Sequence, residues 1–102
     1  MSVIKVTKDN FEEIKNSEKP VLLDFYADWC GPCRMVSPIV DEIAEEREDI
    51  VVGKINVDDD PELASKFGIF SIPTLIVLRD GEVAEQATGA RPKDDILDML
   101  DA

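Results

Sequence analysis

Apolar residues recur along this chain with two periods, one suited to strands and one to helices. Residues 21–27, Val-Leu-Leu-Asp-Phe-Tyr-Ala, are almost continuously apolar, rich in branched and aromatic side chains, and preceded by Pro20. So short a run predicts a buried strand. From about residue 31 to about 47 the spacing changes, and Val36, Ile39, Val40, Ile43 and Arg47 fall on one stripe at helical intervals. Upstream, residues 3–6 predict a short strand, Phe11 and Ile14 give a brief helix its buried face, and residues 16–20 form a surface turn. Downstream, residues 50–57 predict the next strand. Asp60 and Pro61 then read as cap and first position of a short helix that Gly68 ends. Residues 74–78 are apolar again, and Asp80-Gly81 signals a two-residue hairpin into residues 83–88, half polar and so an edge strand. Pro92 opens a last helix with Ile96, Leu97 and Leu100 turned inward.

This βαβαβα-ββα order predicts an α/β fold with a mixed five-stranded sheet and four helices on its two faces. Residues 1–102 are expected to form a single domain. Pro38 falls inside the long helix, where it removes a backbone hydrogen bond and is expected to kink the axis.

The chemistry gathers where the central strand gives way to the long helix, at Trp29-Cys30-Gly31-Pro32-Cys33-Arg34. The first turn of a helix has unpaired N–H groups and a partial positive charge, both of which stabilise an anion. A thiolate at Cys30 is therefore expected to form more readily than a free thiol, whose pKa is about 8.5. Gly31 permits a tight turn, and Pro32 suits an early helical position where its missing N–H costs nothing. Cys33 lies three residues after Cys30, so the two sulfurs share a helical face and can close a disulfide. A thiolate backed by a second thiol is the minimum equipment for thiol–disulfide exchange. A purely structural bridge would restrict so small a loop very little, and a zinc or cluster site needs four ligands where two are offered. No metal site is expected.

With its setting, the Trp-Cys-Gly-Pro-Cys motif resembles the thioredoxin family. The likeness takes in Asp24 on the preceding strand, Pro38, Lys54 on the next strand, Ile72-Pro73-Thr74, Asp80-Gly81 and Gly89. It implies a thioredoxin fold with strand order 1-3-2-4-5 and a protein-disulfide reductant working through a Cys30/Cys33 dithiol. It implies Asp24 as proton acceptor for Cys33, with Lys54 tuning it, and a cis Ile72–Pro73 bond that brings its loop against the dithiol. Trp29, Gly31, Pro32, Ile72, Pro73 and Gly89 are expected to form a docking patch for disulfide-containing protein substrates. No bound cofactor is expected, and because no Gly-rich dinucleotide motif follows a strand, electrons must come from a separate partner, a thioredoxin reductase. Phe70 departs from the family pattern, a large apolar residue where many members carry a polar or flexible one. Arg91-Pro92 likewise replaces a hydroxyl-bearing helix start.

Composition narrows the remaining choices. A net charge of −12 argues against nucleic acid or an anionic membrane as partner. No apolar run approaches the roughly 18 residues of a membrane span, and residues 1–6 lack the pattern of a secretory leader. A cytoplasmic monomer is expected. There is no histidine, so the commonest general base and metal ligand is missing, as is the histidine often found between the cysteines of secretory dithiol oxidases. A non-catalytic module that merely kept the fold would have no need of both cysteines. The acidic stretches at 58–60 and 94–95 read as solvated faces and helix-start charge.

Overall fold

The computed structural model describes residues 3–102. Met1 and Ser2, which open the stretch expected to lack a leader, lie outside the described residues. The elements run β1 (Ile4–Lys5), α1 (Phe11–Lys15), β2 (Val21–Tyr26), α2 (Gly31–Glu46), β3 (Val51–Asn56), α3 (Pro61–Lys66), β4 (Thr74–Arg79), β5 (Glu82–Thr88) and α4 (Lys93–Asp101). The strands form one sheet in the order β1-β3-β2-β4-β5, parallel across β1, β3 and β2 and antiparallel from β2 through β4 to β5. This is the expected thioredoxin-type arrangement, with β2 in the middle and its C-terminal end aimed at the Cys30 turn.

Alternation along the strands sorts the core into two layers. Val21, Leu23 and Phe25 of β2 pack with Phe11 and Ile14 of α1, Leu63 of α3, and Ile55, Ile76 and Leu78. Phe67 joins this layer, with ring centroids 5.6 Å from Phe11 and 5.5 Å from Phe25, both edge-to-face. On the opposite face Leu22 packs with Val36, Val40, Ile43 and Ala44 of α2, Leu75 and Val77 of β4, and Ile96, Met99 and Leu100 of α4. Met99 thus takes a fully inward position expected of Leu97, which packs at the margin. Pro38 lies within a helix that runs unbroken from Gly31 to Glu46.

The turns follow their residues. Asp80 and Gly81 both have positive φ, 55° and 80°, as a two-residue hairpin whose twist matches the strands requires. After α3, Gly68 at φ 65° lets its N–H reach Ser65 O and that of Ile69 reach Ala64 O, 3.0 and 2.9 Å, which pairs two terminal carbonyls. Asp60 does not cap α3 with its side chain. Its Oδ1 accepts a hydrogen bond from the backbone N–H of Lys8 at 3.2 Å, tying the start of α3 to the loop after β1.

Candidate active site

Cys30 is the N-cap of α2, with extended backbone, and its N–H returns to Ala27 O to close the turn out of β2. Its sulfur accepts the N–H of Cys33 at 3.2 Å. The geometry therefore offers a helix-terminal donor to charge on Cys30, as the first turn of a helix should. The two cysteines are joined in a disulfide, with Cα atoms 5.3 Å apart. Cys30 is only 4% exposed and Cys33 3%, because both pack on Ala27 with Tyr26, Val57 and Ile72 around them. What differs is their surroundings. Cys33 opens on a small cleft formed with Tyr26, Ala27, Asp28, Arg34 and Ser37, whereas Cys30 Sγ lies 3.8 Å from Ile72 O.

That carbonyl precedes a cis peptide bond, Ile72–Pro73. Pro73 O in turn accepts the N–H of Gly89 at 2.8 Å, and Gly89 holds φ at 97°, where a side chain would be strained. Ile72, Pro73 and Gly89 are thereby assembled beside Cys30, with Pro73 buried and its two companions partly exposed. Gly31 and Pro32 are exposed on the first turn of α2. Trp29 is 68% exposed, and its indole N–H donates to Asp58 Oδ2 at 2.9 Å. Asp58 is thus more than part of a solvated acidic run, since it orients the largest aromatic surface beside the dithiol. Phe70, two residues before Ile72, is 98% exposed.

Asp24 sits on the α2 side of β2, 1% exposed, and neither carboxylate oxygen has a hydrogen-bond partner within the protein. Burial pushes its carboxyl up from 3.8 to about 6, the charge of Lys54 opposing and that of Asp41 adding. Lys54 is directly opposite Asp24 in the β2–β3 register. Its ammonium nonetheless bonds Asp41 Oδ1 at 2.8 Å and Ser37 Oγ, and no direct Asp24–Lys54 bond is formed. Ser37 and Asp41 were not singled out from sequence. A signal was available, since Cys33, Ser37 and Asp41 recur every four residues and so lie along one line of α2.

Among the described residues no group of three or more His, Cys, Asp or Glu side chains is placed to hold a metal ion, and no helix is long and apolar enough to cross a membrane. A model of the thioredoxin family matches residues 2–102. A thioredoxin of Pyropia yezoensis is 54% identical over 102 residues, covering 98% of this chain and 95% of the other. One from Porphyra purpurea is 56% identical over 95 residues, with 91% and 89% covered. Among solved structures, a mutant thioredoxin from Halobacterium salinarum superimposes with a TM-score of 0.92 at 38% identity, over 98% of this chain and 88% of that one. A cysteine pair at disulfide distance, at the N-terminus of a helix leaving the central strand, performs thiol–disulfide exchange in this setting, and in this role the oxidised pair is recycled by a reductase. By sequence, fold and dithiol, the chain belongs to the thioredoxin family.

Proposed function

We propose that Cys30 is the attacking residue and Cys33 the resolving one in the reduction of protein disulfides. Cys30 thiolate attacks one sulfur of the substrate disulfide, and the other leaves as a thiolate that takes up a proton. Asp24 then accepts the proton of Cys33, whose thiolate attacks Cys30 Sγ. The second substrate thiolate departs, leaving the Cys30–Cys33 disulfide. Two electrons pass to the substrate, and the reductase returns them.

The observation that carries this assignment is the Cys33 N–H donated to Cys30 Sγ at 3.2 Å, which favours charge on Cys30 rather than Cys33. Asp24 supports the second step as a buried carboxylate with no fixed partner, one sheet repeat below Tyr26 at the cleft of Cys33. Trp29, Gly31, Pro32, Ile72, Pro73 and Gly89 serve as the docking patch, where the loop carrying Ile72 can pair with an extended substrate segment. The chain acts as one domain and as a monomer, since a charge of −12 opposes self-association. It works in the cytoplasm without a bound cofactor. Its two cysteines are the redox pair itself, so no further disulfide ties the fold to an oxidising compartment.

Trapping tests the order of attack. Cys33→Ser should accumulate mixed disulfides with substrate proteins through Cys30, and Cys30→Ser should not. Each should abolish dithiothreitol-driven reduction of insulin. Equal trapping by both variants overturns the order proposed.

A further inference from the structure

Lys54 is the cross-strand neighbour of Asp24 and shares its face of the sheet. A cation so placed is attracted to a desolvated carboxylate with no partner. It is turned elsewhere. Lys54 Nζ lies 2.8 Å from Asp41 Oδ1 and bonds Ser37 Oγ, while both oxygens of Asp24 stay unpaired. The Lys54 side chain is 16% exposed and that of Asp41 57%, so the ammonium is drawn toward the rim of the sheet. The helix that carries Cys33 carries both restraints.

We propose that Ser37 and Asp41 are positioning residues, a clamp that holds the Lys54 ammonium off Asp24 and leaves that carboxylate free as a base for Cys33. The inference rests on Asp24 being the proton acceptor. Without the clamp, Lys54 would close on Asp24 and stabilise its ionised form, and a weaker base takes the Cys33 proton less readily. The groups facing Asp24 are few. Lys54 comes from β3, Asp41 from α2 and Tyr26 from β2 itself, while β4 presents Leu75. Asp41 acts in two ways that must be separated, by its own negative charge and by restraining Lys54.

The test is the carbon-13 titration of the Asp24 carboxyl in the full chain, in wild type, S37A, D41N, K54M and D41N/K54M. Rates of mixed-disulfide resolution are measured over the same pH range. D41N should lower the Asp24 midpoint by about one pH unit or more, as a cation closing on a carboxylate does. S37A, which leaves every charge in place, should lower it too. In the K54M background D41N should have only a small remaining effect, because no cation is left to release. A D41N shift equally large with and without Lys54, or no shift in D41N, overturns the clamp. If the midpoints move as expected but the pH profile of resolution does not follow them, the clamp stands and Asp24 is not the base.

Discussion

The two faces of β2 are equally dry and differently made. Toward α1 and α3 the strand turns Val21, Leu23 and Phe25, each at most 1% exposed, into a layer closed by three edge-to-face phenylalanines. Toward α2 and α4 it turns Leu22 and then Asp24, as buried as Phe25 but polar and unpartnered. Burying a large apolar side chain stabilises by about 1.5–3 kcal/mol, whereas burying an ionised carboxylate costs free energy unless it is paired. One face therefore supplies stability, and the other gives some back at Asp24. The difference lies in what occupies each position, since burial is the same.

The largest expected effect is on the apolar face. Phe25→Ala should lose about 3–5 kcal/mol in urea denaturation, because Phe25 anchors the ring of Phe67 as well as its own burial. Where the variant stays folded, resolution of the mixed disulfide should proceed at the wild-type rate. A slowed resolution step would show that the two faces are not separable.

Asp24→Asn should act in the opposite direction. The unfolded carboxyl ionises above its ordinary 3.8 and the folded one only above about 6. Between those values the folded state keeps a proton the unfolded state has released. The contribution of Asp24 is therefore complete below 3.8 and lost as pH rises through about 6. At about 1.4 kcal/mol for each pH unit, the loss amounts to about 3 kcal/mol. At pH 8 the Asn variant should be more stable than wild type by up to about that much, and it should lack this fall in stability with pH. It should also resolve mixed disulfides more slowly. A variant less stable at pH 8 and unchanged in rate would make Asp24 a structural residue.

How much of this was legible follows the range of the forces involved. The strands, the helices, the hairpin at Asp80-Gly81 and the dithiol on its helix end are local, written in periods and turn residues, and the structure has them within a residue or two. Asp24 stood out because a carboxylate in an apolar run is anomalous wherever the strand goes. The fate of Lys54 was not legible, since its choice between Asp24 and Asp41 depends on the rotamer a long side chain adopts between β3 and α2. Nor was the attachment of Trp29 to Asp58, 29 residues away, because that bond exists only once β2 and β3 lie side by side. The strand order itself came from the family likeness. Alternation places residues on faces without saying which strands are neighbours.

A smaller effect separates the faces within β3, where Gly53 faces the apolar layer and the next residue is Lys54. A Cβ at Gly53 would lie 2.5 Å from Cγ2 of Val6, which is fully buried, and 3.4 Å from Cδ2 of Leu23. The branched Val6 has little freedom to yield. Gly53→Ala should cost about 1–3 kcal/mol by overpacking while leaving the Asp24 titration where it is. A shift in that titration would mean that strain crosses the sheet.

The smallest expected stability change lies on neither face. Phe70, 98% exposed, has no burial to lose, so Phe70→Ser should leave stability within about 0.5 kcal/mol of wild type. It stands two residues ahead of Ile72, whose carbonyl is 3.8 Å from Cys30 Sγ, on the approach a substrate segment would take. An exposed aromatic there supports no core and is free to contact a partner. Insulin reduction should show KM rising about fivefold with kcat unchanged, equivalent to about 1 kcal/mol of binding. A small aromatic disulfide, too short to reach both Cys30 and Phe70, should be reduced as fast as by wild type. If KM for insulin does not move, the patch ends at Ile72. If stability falls by more than about 1 kcal/mol, beyond what an exposed position loses, Phe70 belongs to the fold after all.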